Sequence, residues 1–373
     1  MTHARAEQAL LDWPPVTAPD YAAVEDAYRD LVGTRRDLLV VQGEAIVALE
    51  AAARGLARPG RRALNLVTSW YGRLFGEWLA AGGAEVVDLA VSFDRAVPPG
   101  RVAEQLERGS FDIVSLAHAE AGTGAVNDLP AIAALARHAG ALVAVDAVAS
   151  LGAEPLPIDD LDLDLVVLGA HKALAGPSGA TGVVVSERAW EALAGGEAPL
   201  RNSALSLLDW RERWLLPGRQ ALPLIPNHLE TRALGAALAR AAGEGLDHVV
   251  GRHRAAAAAS RAALAPLGLS PRVTSDVEGA AVATTIAAPP EGPALLLAAC
   301  RQASPGLVAP VSVAPGPLAG EALRIDHTGR RATLSEVLVA VVWLAAGLAA
   351  LGGSPDRAAA LEAATAAWSG VLG

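Results

Sequence analysis

Residues 141–186 read ALVAVDAVASLGAEPLPIDDLDLDLVVLGAHKALAGPSGATGVVVS. Three apolar runs stand out in this stretch: Ala141–Asp146, Asp164–Leu168 and Gly179–Ser186. None alternates polar with apolar residues. Near-continuous Val, Leu and Ala over five to eight positions marks a strand covered on both faces. The same grammar runs upstream through Asp37–Val41, Ala63–Val67, Ala84–Val91 and Phe111–Ala117. Helical stretches separate several of these runs. Pro98 and Pro99 open one, and Asp128, Leu129 and Pro130 open another that closes at Gly140. Seven strands alternating with helices predict an α/β fold built on a mostly parallel, doubly wound sheet.

Beyond Gly243 the character changes. The Ala-rich patch at Ala255–Ala265 reads as helix, and short strand-like runs follow at Ala280–Ile286 and Leu323–Ile325. Thr333 and Glu336 are spaced as a capping box ahead of an apolar helix expected to be the last. The predicted organisation is an N-terminal arm over 1–20, a large α/β domain over 21–243 and a smaller α+β domain over 244–373.

Composition narrows the function. With 30 basic residues against 40 acidic ones the net charge is −10, which repels phosphate backbones and argues against nucleic acid as a partner. The longest apolar run, Val337 to Gly353, falls short of the about 20 residues a membrane span needs. One cysteine, Cys300, allows no internal disulfide and no zinc cluster. The N-terminal sequence has no apolar signal core, so a cytoplasmic protein without a metal is expected. Of the 30 basic residues 29 are Arg, and Lys172 is the one lysine. Codon bias accounts for the missing lysines but not for the one kept in an apolar Ala/Gly segment.

Ligands of open α/β sheets gather where strands end. Four such ends carry reactive residues: Gly43-Glu44-Ala45, His118 to Gly124, Asp146-Ala147-Val148, and His171-Lys172. Taken singly, each has an ordinary role as a cap, a turn residue or a solvated loop side chain. Together they meet the demands of pyridoxal phosphate. That cofactor needs a lysine for its Schiff base and a carboxylate on its pyridine nitrogen. It also needs a flat or imidazole face over the ring and a helix N-terminus for its phosphate.

On these residues the chain resembles the class V, fold-type I pyridoxal-phosphate enzymes, particularly the alanine/serine–glyoxylate aminotransferases. The segments that carry the likeness are HAEAGTG (118–124), VDAVASLG (145–152), HKALAGPSG (171–179) and LRIDHTG (323–329), the last similar to the family's Arg-Ile-Gly-His. The resemblance implies a large domain with a seven-stranded sheet, a small C-terminal domain, and a homodimer with its site at the interface. It implies that Lys172 forms the Schiff base and moves the substrate proton, while Asp146 pairs with the ring nitrogen. Val148 would pack on one ring face and Tyr71 or Trp70 on the other. Thr123 would lie near the phenolic oxygen, with His118 and Glu120 shaping that loop and His171 beside the lysine. Gly43, Glu44 and Ala45 would open the phosphate helix, with Asn227 or His228 standing in for a phosphate ligand of the neighbouring subunit. Arg324 would clamp the substrate carboxylate with its two-pronged guanidinium.

Three departures reshape the expectation. The phosphate loop reads Gln42-Gly43-Glu44-Ala45-Ile46, without a hydroxyl and with a carboxylate near where a dianion should lie. The family's N-terminal Gly-Pro-Gly segment has no counterpart in the roughly 20 residues before the helix containing Tyr28. Ala121 and Gly122 replace larger or hydroxylic residues. The leading expectation is an aminotransferase acting between an amino acid and a keto acid or aldehyde. A lyase, decarboxylase or Cα-condensing enzyme of the same fold, and a degenerate binding protein, are the alternatives. Cysteine desulfuration is disfavoured, because Cys300 falls inside a predicted apolar helix.

Overall fold

The computed structural model describes residues 14–372; residues 1–13 of the expected arm lie outside the described residues. Helix α1 (Ala18–Val32) begins inside the stretch read as arm, because Thr17 and Asp20 form a reciprocal capping box there. Its buried face carries two tyrosines. Tyr21 Oη donates to Val40 O at 2.5 Å, and Tyr28 Oη donates to Leu168 O at 2.8 Å. The second bond fastens the strand that leads into His171 and Lys172.

Each of the seven expected strands is present, with ends shifted by no more than two residues. In chain order they are β1 (Asp37–Gln42), β2 (Arg62–Val67), β3 (Glu85–Ala90), β4 (Ile113–Ala117), β5 (Leu142–Asp146), β6 (Leu165–Gly169) and β7 (Ala180–Val185). Between them run α2 (Ala45–Leu56), α3 (Trp70–Ala81), α4 (Pro99–Arg108) and α5 (Leu129–His138). The order across the sheet is β1-β7-β6-β5-β4-β2-β3. The neighbours from β3 through β6 are parallel, while β7 runs antiparallel to both β6 and β1. Strands β4, β6 and β7 are buried along their whole length, which explains their unbroken apolar sequences. Strand β3 sits at the edge and is largely open, so it carries Glu85 and Asp88.

After α6 (Glu187–Ala194) and an irregular helical segment over 207–215, two long helices follow: α7 (His228–Glu244) and α8 (Leu246–Leu264). Gly245, at φ 86°, separates them. The second sheet is antiparallel, with β8 (Ala283–Ala287) and β9 (Val311–Val313) flanking β10 (Ala322–Asp326). Helices α9 (Pro293–Ala303) and α10 (Leu334–Ala350) help cover it, and Leu296, Cys300, Leu323, Ile325 and Leu344 share its core. Thr333 caps α10 as expected, accepting from Glu336 N–H. That helix is not the last. Helix α11 (Arg357–Leu372), capped by Asp356 Oδ1 on Ala359 N–H at 2.9 Å, follows and packs along α8. Its Ala-rich sequence offers no apolar stripe against a polar one, so its periodicity is silent. Among the described residues no helix is long and apolar enough to cross a membrane.

Candidate active site

Parallel neighbours end on the same side of a sheet, so β4, β5 and β6 bring their three C-terminal loops together. Asp146 is the last residue of β5, level with Ala117 on β4 and Val167 on β6. The loops are tied at that level. His118 N–H donates to Asp146 O at 2.9 Å, and Ala147 N–H donates to Val167 O at 2.9 Å. Asp146 Oδ1 accepts from Val148 N–H at 2.9 Å, which fixes the carboxylate and the buried Val148 side chain relative to one another. The lysine loop is held on both sides. Ala175 N–H returns to Lys172 O at 3.1 Å, Gly176 N–H to Ala170 O at 2.8 Å, and Arg240 of α7 donates to Leu174 O.

The charges here depend on one another. Burial pushes the Asp146 carboxyl upward, and the neighbouring Lys172 ammonium pulls it back towards the ionised form. Glu120 is also buried, and burial together with the Asp146 charge raises it to about 7. Its Oε1 accepts from the Ser69 hydroxyl, which caps α3 through Tyr71 N–H at 3.0 Å. Burial lowers His118 to about 4, so its imidazole is neutral, and its Nδ1 is buried without a partner among the described residues. Thr123 is fully buried. Its hydroxyl accepts from Ala125 N–H at 3.4 Å and its carbonyl from Thr285 Oγ1 at 2.7 Å, so it serves the loop and the seam with the second sheet. The expected aromatic pair divides: Tyr71 is exposed, whereas half-buried Trp70 packs over Gly122 and Gly316, 5.4 Å from the Tyr71 ring.

The expected phosphate loop is closed by its own side chain. Gly43, at φ 135°, donates to Gly179 O at 2.9 Å and accepts from Thr181 Oγ1 at 3.0 Å, tying β1 to β7. Glu44 then caps α2: one carboxylate oxygen accepts from Ile46 N–H at 2.9 Å, and the other lies 3.4 Å from His171 Nε2. Ala45 is the first residue of α2 and is buried. Asn227 reaches this loop through its backbone, donating to Gln42 Oε1 at 2.7 Å. Its side-chain oxygen caps α7 instead, accepting from Glu230 N–H at 3.2 Å.

On the second sheet, Arg324 of β10 points to the same cleft, donating from Nη1 to Ala121 O at 3.2 Å. Sequence reasoning missed its companion: Asp326 Oδ1 lies 2.7 Å from Arg324 Nε. The signal was present, since residues two apart on a strand share a face. Ser69 was also missed, because a serine before a helix reads only as a cap. Cys300 is buried in α9, and burial raises its thiol to about 11, which fits an inert side chain.

A lysine, a strand-end carboxylate, a neutral histidine and an arginine around one end of a seven-stranded mixed sheet define a fold-type I pyridoxal-phosphate transferase. The aminotransferase class-V family model matches residues 17–207, and the chain belongs to that family. It is similar to the pyridoxamine–pyruvate transaminase of Mesorhizobium japonicum, at 31% identity over 350 residues, covering 94% of this chain and 86% of the relative. It is also similar to the serine–glyoxylate aminotransferase of Methylorubrum extorquens, at 25% identity over 284 residues, 75% of this chain and 70% of that one. The solved pyridoxamine-pyruvate aminotransferase of Mesorhizobium loti superposes with a TM-score of 0.88 at 30% identity, covering 95% of this chain and 89% of that one. The chain is an aminotransferase of this pyridoxal-phosphate-dependent family.

The residues present fit the cofactor's ring: Asp146 would offer the charge partner, Lys172 the amine, and His118 Nδ1, unpartnered among the described residues, a buried polar contact. When bound, the ring supplies an electron sink for the substrate Cα–H bond. The phosphate end fits differently, because the helix terminus meant for an anion already carries the Glu44 carboxylate.

Proposed function

We propose that this aminotransferase moves the amino group of pyridoxamine to a small 2-keto acid such as pyruvate, with the pyridoxyl compound taken in its non-phosphorylated form. The observation that carries this reading is the Glu44 carboxylate on the N-terminus of α2. A phosphate dianion there would face a like charge, whereas a neutral hydroxymethyl group can donate to it. The names of the two pyridoxamine–pyruvate relatives support the same donor and acceptor.

In this reading Lys172 Nζ is the base that moves the proton at the substrate Cα. Asp146 holds the pyridine nitrogen protonated, and Val148 and Trp70 confine the ring, with Tyr71 at the cleft's rim. His118, Thr123 and His171 set the shape of the surrounding loops. Gly43, Glu44 and Ala45 receive the ring's hydroxymethyl side, with Asn227 bracing that loop. Arg324 seats the keto-acid carboxylate. Exposed Leu216, Leu224, Ile225 and Leu229 lie along the segment that reaches Gln42 through Asn227, and these exposed apolar side chains support a homodimer with its site at the interface. The lone, buried Cys300 supports work in the cytoplasm.

The experiment is to offer pyridoxamine or pyridoxamine phosphate with pyruvate and measure alanine. Pyridoxamine is expected to be favoured at least about tenfold in kcat/KM, roughly 1.4 kcal/mol. Preference for the phosphorylated amine would overturn the reading, and sizing of the purified protein checks the dimer.

A further inference from the structure

Strand β10 has two dissimilar faces. Leu323 and Ile325 enter the core of the second sheet, while Arg324 and Asp326 share the opposite face, which looks onto loop 118–124 through the Arg324–Ala121 bond. Asp326 Oδ1 lies 2.7 Å from Arg324 Nε, and Asp326 Oδ2 lies 3.7 Å from Nη1 of Arg331. The inner pair is shielded, with side-chain exposures of 21% and 11%, whereas Arg331 is half exposed at 51%. A guanidinium can hold a carboxylate side-on, through Nε and one Nη, or end-on, through both Nη atoms. Asp326 sits beside the Nε edge as an ion pair without accepting the Nε hydrogen, and Ala121 O takes one Nη1 hydrogen, which leaves Nε–H and Nη2 for an incoming group.

We propose that Asp326 is a specificity-determining residue that confines the acceptor to monocarboxylate 2-keto acids and turns dicarboxylates away. The inference rests on the reading of Arg324 as the carboxylate seat. Arg324, Asp326 and Arg331 together carry one net positive charge, which a single substrate carboxylate neutralises. A second carboxylate would leave a net negative charge in a shielded cleft, where like charges repel strongly. It would also meet the Asp326 carboxylate directly. Arg331 keeps Asp326 partnered when substrate draws Arg324 away, so the internal carboxylate stays charged and stays in place.

The test uses Asp326→Asn, which removes the charge and keeps an acceptor oxygen, with Arg324→Ala as the locator. Equilibrium binding of propionate and glutarate to the purified protein is followed by ligand-observed NMR, independently of turnover. Asn at position 326 is expected to strengthen glutarate binding about tenfold relative to propionate, and Arg324→Ala to weaken both in either background. With turnover, the kcat/KM ratio of pyruvate to 2-oxoglutarate should fall about tenfold in Asp326→Asn, through the KM of the dicarboxylate. If the glutarate-to-propionate ratio does not move, or both ligands bind more weakly, Asp326 merely props Arg324 and the proposal is overturned. If Arg324→Ala leaves propionate binding intact, the carboxylate seat itself is wrong, and the proposal goes with it.

Discussion

Glu44 stands 3.4 Å from His171, with one carboxylate oxygen on the imidazole Nε2 and the other on the amide that opens α2. This contact joins the loop after β1 to the residue beside the chain's one lysine. A negative side chain therefore occupies the terminus that an external anion would otherwise hold.

Exchanging Glu44 for serine restores a hydroxyl and frees the Ile46 amide. The Glu44→Ser variant should bind pyridoxal phosphate at least about tenfold more tightly relative to pyridoxal, read by titrating the visible absorbance of each. An unchanged ratio would show that Glu44 turns away from the ligand. The helix should survive the change, since serine is itself a good cap.

Lys172 is the only side chain able to form a Schiff base with an aldehyde. Borohydride reduction in the presence of pyridoxal should therefore add mass to one side chain only, in the peptide that contains Lys172. Lys172→Ala should take up no label on any side chain and lose catalysis entirely. Labelling of another side chain in that variant would contradict the assignment.

In the proposed arrangement Asp146 would pair with the ring nitrogen, a partnership that would matter most while charge develops at Cα. Asp146→Ala should lower kcat by about 10²–10³, the range seen when one preorganised stabilising group is removed. Lys172 should still be labelled by borohydride, which separates loss of activation from loss of the site.

Two buried groups give stability opposite pH dependences. Burial lowers His253 to about 4 from an ordinary 6.5, so the unfolded chain binds more protons between those values. The stabilisation gained by keeping His253 neutral is present above pH 6.5 and is lost as pH falls towards 4. Burial raises Glu25 to about 7 against the pull of Trp214 Nε1, Val40 N–H and Arg219. Its favourable contribution is present below pH 4.5 and is lost as pH rises through 7. Denaturant titrations should show Glu25→Gln gaining on the parent between pH 4.5 and 7, on the order of 1–3 kcal/mol. His253→Leu should lose ground to the parent as pH rises from 4 to 6.5. Parallel pH curves for variant and parent would refute either assignment.

How much was legible beforehand differs from element to element. The strands were readable because burial on both faces leaves no room for polar residues, and β4, β6 and β7 are buried throughout. The placement of Asp146 and Lys172 at neighbouring strand ends was readable because the apolar runs stop beside them. Helix α11 was not, since a run of alanines has no face. Asn227 shows a related ambiguity. A polar residue before a helix can serve a ligand or its own helix, and here the Glu230 amide of α7 takes its Oδ1.

The sequence by itself determined the seven strands, the helix starts at Asp128 and Thr333, and the one lysine placed after a buried strand. These follow from local periodicity, capping and residue type. Only the tertiary structure decided which loops meet. Glu44 faces His171 because β1 lies beside β7, which runs back antiparallel from β6. Arg324 reaches Ala121 across 203 residues because the small sheet packs its polar face on loop 118–124. Such contacts depend on sheet order and on how the two sheets pack, and neither leaves a periodic trace in the chain.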